Sequence, residues 1–203
     1  YQTMCGCTDI FMHTMERYFV TGHTLALTDR IAESLMKTVI ENAKILKENP
    51  TDYNAAAEMM WAGSLSHNGL TGCGTGGGDW ACHQLEMELS GMFDVAHGAG
   101  LAAVWASWAR YVYKKDIGRF AQFAENVLGI PQEKTSPEKT ALAGIDKMEQ
   151  FFAEIGMPTS VKDMGITLTD AQIDQLAYQC SFENKRTIGA FQVLNIDDMR
   201  NIY

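Results

Sequence analysis

Two short segments carry residues that could bind a metal ion. In the first, Asp9 and His13 are four positions apart in a stretch with helical periodicity. Their side chains are therefore expected on one helix face, about one turn apart, where a carboxylate and an imidazole can share one ion. The pair alone is weak evidence, because a surface helix often places such residues four apart by chance.

The second segment contains His83 and His97. Each lies near the expected start of a helix, so a tight connection between the two helices would bring the imidazoles together. Taken singly, each histidine is more simply explained as a hydrogen-bonded core or capping residue. Three imidazoles and one carboxylate together form a ligand mixture that Fe²⁺ and Zn²⁺ accept, with a further position open to a substrate oxygen.

The elements that must position these residues are helices. Apolar residues recur at three- and four-residue spacing, and no sustained period-2 run of β-branched residues is present. The pattern predicts an all-α fold, a single domain of about eight to nine helices. The predicted helices cover residues 8–20, 28–47, 52–68, 79–90, 97–113, 117–128, 137–155, 169–180 and 196–203.

Glycine content and apolar patterning refine this picture. The segment 69–78, GLTGCGTGGG, is predicted to be a loop, and it is a poor phosphate cradle because no β-strand precedes it. Small and flexible side chains predict a buried helix at 52–68, and the nearly all-apolar helix after His97 is expected in the middle of the domain. The tryptophans are predicted core aromatics: Trp61, Trp80, Trp105 and Trp108.

Composition excludes several classes of partner. The chain has 203 residues, of which 46% are hydrophobic, and a formal net charge of −9. An acidic surface repels phosphate, so nucleic acids and anionic membranes are poor partners. Five cysteines form an odd set without the density of a disulfide scaffold, which favours a reducing, cytoplasmic setting. The start at Tyr1 without an initiator Met suggests a processed chain or part of a longer protein.

Residues 7–18, 68–70 and 79–102 resemble the C-terminal domain of iron-containing (group III) alcohol dehydrogenases. The branch that they resemble contains NAD(P)H-dependent butanol dehydrogenases and aldehyde reductases, and the similarity extends to the closing residues 198–203. The resemblance implies Fe²⁺ or Zn²⁺, NAD(P)H, and a small alcohol or aldehyde substrate. It places the family's aspartate ligand and three histidine ligands at Asp9, His13, His83 and His97.

The resemblance also implies that metal binding and dinucleotide binding belong to two different domains. Residues 1–203 correspond to the helical metal-binding half, and the N-terminal dinucleotide-binding domain of the family is absent from this chain. Without a site for the hydride donor, the chain alone is expected to be inactive. The loop 69–78 is expected to border the cofactor cleft, and a homodimer is a candidate assembly.

One departure from the family is visible at Met87. Many relatives carry a further histidine there, which could relay a proton, so that relay is in doubt and Met87 is expected in the pocket wall or core.

His23 and His67 are assigned surface or capping roles. Cys5 and Cys7 are a weak candidate for a soft metal, because no second cysteine pair accompanies them.

Two other functions stay open. One is a stand-alone helical metal-binding or interaction module, which the missing nucleotide domain favours. The other is a sister enzyme similar to glycerol dehydrogenase or dehydroquinate synthase, whose ligand sets and loops differ from the pattern seen here.

Overall fold

A computed structural model describes residues 1–22, 25–133 and 135–203. The predicted turn position His23 lies outside these residues. Nine α-helices occur in the described ranges, which confirms the all-α prediction. They are α1 Gln2–Tyr18, α2 Ala26–Glu48, α3 Tyr53–His67, α4 Ala81–Phe93, α5 His97–Val112, α6 Ile117–Asn126, α7 Pro137–Glu154, α8 Asp170–Cys180 and α9 Ile196–Ile202.

Short 3₁₀ helices lie at Leu70–Gly72, Tyr113–Lys115 and Val161–Met164. Pairing of extended backbone within the described ranges is limited to one isolated antiparallel bridge between Ile188 and Leu194. None of the helices described is long and apolar enough to cross a membrane.

Helix α5 occupies the middle of the domain, as its apolar sequence predicts. It contacts α1, α4, α7 and α9. Trp105 and Trp108 are fully buried, and the Trp108 ring lies 5.7 Å from Phe19 and 6.1 Å from Phe120, centroid to centroid. Helix α5 is therefore the central element against which α1 and α4 pack.

Helix α3 differs from the prediction of a buried helix. Only one face packs, mainly on α1 and α2, and its buried residues are Ala55, Met59, Ala62 and Ser66. Met60 is 79% exposed and Trp61 62% exposed. The prediction that Trp61 is a core aromatic is therefore wrong. Small apolar residues made every face of α3 compatible with burial, whereas only one face meets neighbouring helices.

Helix α1 is longer than the predicted segment 8–20. It begins at Gln2, so Thr8 lies inside the helix, where its hydroxyl donates a hydrogen bond to the Met4 carbonyl at 2.9 Å. Met4, Cys5 and Cys7 are buried in the core. Packing therefore stabilises a first turn and a half that has only modest helical propensity of its own.

Candidate metal centre

The structure brings the four predicted ligands to one place. Asp9 and His13 are one turn apart on α1, His83 lies in the first turn of α4, and His97 is the first residue of α5. The Asp9 Oδ1 atom is 3.5 Å from the Nε2 atom of His13, 3.5 Å from that of His83 and 3.4 Å from that of His97.

Asp9 Oδ1 therefore lies between the three imidazoles, and the ligand atoms of Asp9, His83 and His97 all lie within 4.8 Å of one another. Asp9 Oδ1 and His83 Nε2 are buried and have no hydrogen-bond partner. Two ligands of a tetrahedral ion with bonds of about 2.1 Å lie about 3.4 Å apart. The three distances from Asp9 Oδ1 match this spacing, and unpaired buried polar atoms are costly unless a further group completes them. The residues present therefore fit a divalent metal ion.

A fourth histidine, His67, joins this cluster. Its Nε2 atom lies 3.7 Å from Asp9 Oδ2, its Nδ1 atom lies 3.0 Å from the Gly63 carbonyl, and its ring centroid is 3.9 Å from that of His13. Within the part of the chain that the structure describes, two triplets have ligand atoms within 4.8 Å of one another. These triplets are Asp9, His83, His97 and Asp9, His13, His67.

The start of α4 is fixed against α1 by the glycine loop 69–78. The Asp79 N–H donates to the Glu16 carbonyl at 2.7 Å. Gly78 has φ +96°, and a Cβ atom there would lie 2.9 Å from the same carbonyl, so the loop backbone needs a glycine at this contact. Trp80 then adopts a left-handed conformation, φ 63°, immediately before α4. The loop predicted from its glycines thus determines where His83 lies.

The start of α5 is fixed against α1 by Gly98. A Cβ atom on Gly98 would lie 2.1 Å from the Cys5 carbonyl oxygen, so the two backbones are in direct contact. Cys5 is one helical turn before Asp9, and His97 precedes Gly98. This close approach therefore sets the distance between Asp9 and His97.

Two buried glutamates lie behind the imidazoles, and neither was predicted from the sequence. Glu16 Oε2 contacts Nδ1 of His83, and Glu86 Oε2 contacts Nδ1 of His97. Both glutamate side chains are fully buried. Glu16 could have been noticed from sequence, because it follows Asp9 by seven positions and shares its helix face.

The pKa values of the cluster residues are shifted in different directions. Burial opposes ionisation of Asp9, but contacts with His83 and His97 outweigh it and hold the pKa of Asp9 well below its usual value. Burial lowers the pKa of His13 to about 4. Burial also disfavours the charged form of His83, yet its contacts with Asp9 and Glu16 raise its pKa to about 9. Contacts with Asp9 and Glu86 raise the pKa of His97 to about 10.

Two neighbouring side chains correct further expectations. Trp80 is half-buried at the edge of the cluster, where its ring lies 5.2 Å from that of His13 and 5.1 Å from that of His83. It is a wall of the site and not a core residue. Met87 is 62% exposed on α4, so it is not a core residue, and its expected place in the pocket wall stays a prediction. Met87 is exposed because it lies on the uncovered face of α4, and sequence periodicity did not identify that face.

Comparison with known proteins identifies the protein family to which the chain belongs. Residues 3–203 match the family model described as Fe-containing alcohol dehydrogenase family, C-terminal. The chain belongs to this family, which confirms the resemblance drawn from the motifs around Asp9, His83 and His97.

Curated relatives give the nearer comparisons. The chain is 34% identical over 203 residues to NADH-dependent butanol dehydrogenase A from Clostridium acetobutylicum, covering 100% of this chain and 51% of the relative. It is 34% identical over 206 residues to the NADPH-dependent aldehyde reductase YqhD from Escherichia coli, again covering 100% and 51%. The chain thus spans about half the length of these relatives.

A solved structure agrees with this comparison. The crystal structure of NADH-dependent butanol dehydrogenase A from Thermotoga maritima superposes with a TM-score of 0.90 at 34% identity. The superposition covers 99% of this chain and 51% of that chain. The helical fold described above is therefore shared with one half of that protein.

Proposed function

We propose that this chain is the metal-binding part of an NAD(P)H-dependent alcohol dehydrogenase or aldehyde reductase. One divalent ion, Fe²⁺ or Zn²⁺, would be held by Asp9, His13, His83 and His97. The observation that carries the proposal is the position of Asp9 Oδ1. It faces three imidazole Nε2 atoms at 3.4 to 3.5 Å and has no hydrogen-bond partner of its own. Membership of the family and the names of the relatives support the activity.

A divalent ion at this position would supply Lewis-acid polarisation of an alcohol or aldehyde oxygen, which is the chemistry that hydride transfer needs. The chain's own residues set the direction of approach. The His83 side chain is 12% exposed, whereas that of His97 is 43% exposed. The His67 side chain is 44% exposed, so the open side of the cluster lies away from His83, toward His97 and His67. Substrate would enter from this side.

The hydride donor would bind to a dinucleotide-binding domain outside this chain. This part of the proposal is supported by the relatives, of whose length the chain spans about half. The loop 69–78, which carries α4 into the site, would border the cofactor. A small alcohol or aldehyde is the proposed substrate, and a homodimer is the proposed assembly. A reducing, cytoplasmic setting suits the five free cysteines.

Metal analysis of purified chains tests the ligand set. We expect the wild-type chain to retain about one Zn²⁺ or Fe²⁺ after anaerobic loading and desalting, because four protein side chains would hold the ion. The His83→Ala chain should lose it. His67→Ala is the matched control, because it also removes an imidazole within the cluster but not a proposed ligand. Equal stoichiometric metal in wild type and His83→Ala would refute the assignment, and equal loss in both variants would make His67 a required ligand.

The activity is tested on the protein encoded by the complete gene. We expect metal-dependent oxidation of NADH or NADPH in the presence of a short-chain aldehyde, and loss of this activity in His83→Ala. A gene encoding only these residues, with no separate dinucleotide-binding partner, would favour the stand-alone metal-binding module.

A further inference from the structure

Glu16 and Glu86 are buried charged residues, and each contacts one imidazole of the candidate site. Among the described residues, the only ion pairs of these two carboxylates are with His83 and His97 respectively. A buried carboxylate is costly unless it is paired and hydrogen-bonded. The fold therefore keeps two buried carboxylates, each paired with an imidazole, directly behind two proposed metal ligands.

Each carboxylate contacts the same atom of its histidine. Glu16 and Glu86 both meet Nδ1, and the opposite nitrogen, Nε2, faces Asp9. A carboxylate accepts a hydrogen bond, so Nδ1 must carry the proton in a neutral imidazole. Nε2 is then left with its lone pair directed toward Asp9 Oδ1, where the proposed ion would be held.

We propose that Glu16 and Glu86 are positioning residues that select the metal-binding tautomer of His83 and His97. This inference rests on the proposed metal site. Hydrogen-bonded partners of this kind orient ligands and affect metal affinity by about 10- to 100-fold. The local sequence makes room for one of them. A Cβ atom on Gly100 would lie 2.5 Å from Glu86 Oε1, so the carboxylate occupies space that only glycine leaves free.

The two glutamates differ in their second partner. Glu16 Oε1 accepts a hydrogen bond from the Cys82 backbone N–H at 2.7 Å, a group that can only donate. Glu86 Oε1 instead accepts from the Ser90 hydroxyl, which can rotate and also lies 3.2 Å from the Val95 carbonyl. A hydroxyl can donate or accept, so the surroundings of Glu86 are adaptable and those of Glu16 are not.

This difference predicts unequal effects of the isosteric change to glutamine. A glutamine at position 16 has one oxygen for two donors. If that oxygen keeps the Cys82 N–H, its amide group donates to His83 Nδ1 and places the ring proton on Nε2. A glutamine at position 86 can keep its oxygen on His97 and donate to Ser90, whose hydroxyl then donates to Val95. Glu16→Gln should therefore disrupt the metal site more than Glu86→Gln.

The experiment compares Zn²⁺ affinity by chelator competition in the full chain. We expect about 10- to 100-fold weaker binding for Glu16→Gln and a smaller loss for Glu86→Gln. Glu33→Gln is the control, because Glu33 is also buried but bonds to Tyr18, Gln122 and Asn126 and to no imidazole. Its affinity should stay within about twofold of wild type. Unchanged binding by Glu16→Gln, or a larger loss in Glu86→Gln, overturns the proposal.

Nitrogen-15 NMR of the imidazoles gives a readout that a merely structural role would not move. In Zn²⁺-loaded wild type, His83 and His97 should carry their protons on Nδ1 and bind through Nε2. Binding through Nδ1 in either residue overturns the proposal even if no glutamine variant folds. The proposed metal site fails separately, through wild type and His83→Ala holding equal metal, so the two failures are distinguishable.

Discussion

The contact between Gly98 and the Cys5 carbonyl links helix packing directly to the proposed metal site. Gly98→Ala would place a Cβ atom 2.1 Å from that oxygen, and real Cβ atoms essentially never approach closer than 3.0 Å. The first turn of α5 must therefore move from α1 by about 0.9 Å, an overpacking that typically costs about 1–3 kcal/mol. The higher helix propensity of alanine offsets up to about 1 kcal/mol of this loss of stability.

The same movement separates His97 from Asp9, because these residues adjoin the contact on the two helices. Metal–ligand distances tolerate only about 0.2 Å, a fraction of the required shift. We therefore expect Gly98→Ala to weaken Zn²⁺ binding at least about tenfold while the chain stays folded.

Gly91→Ala is the matched control for this prediction. Gly91 is also helical, in α4, but a Cβ atom there meets nothing within 4 Å. This variant should gain up to about 1 kcal/mol in urea unfolding and keep wild-type Zn²⁺ affinity. The reasoning is refuted if Gly98→Ala binds Zn²⁺ as tightly as Gly91→Ala.

Two further predictions concern proton release and the distant core. The pKa values of His83 and His97 lie at about 9 and about 10, so both imidazoles lose a proton when metal binds near neutral pH. Zn²⁺ affinity should rise up to about 100-fold per pH unit from pH 7 to 8 and level off above the two pKa values; a pH-independent affinity would contradict this. Arg119→Ala leaves buried Asp29 without the two hydrogen bonds that it receives at 2.6 and 2.7 Å, and should destabilise the chain by about 3–5 kcal/mol. Urea unfolding measures that loss, and an unchanged midpoint would show that the ion pair contributes little.

Local sequence patterns determined the helices and much of the candidate site. Three- and four-residue periodicity predicted the helices, since a helix face is set by local backbone geometry. Asp9 and His13 had to share a face for the same reason. The glycines of 69–78 specified a loop because they permit left-handed backbone that other residues rarely adopt.

Contacts between helices decided what local patterns could not. The convergence of His83 and His97 on Asp9 depends on Gly78 and Gly98 meeting the backbone of α1, contacts between residues far apart in sequence. The approach of His67 to Asp9 has the same kind of origin, because α3 must pack on α1 before their side chains meet.

Which side chains of a helix become buried also depended on the packing of the helices. Glu16 and Glu86 are charged residues that local pattern places at a surface, yet each is buried because an imidazole from another part of the fold supplies its partner. Trp61 is apolar but exposed, because no neighbouring helix covers its face of α3. Sequence alone thus determined which residues could share a helix face, and the packing of helices determined which faces meet.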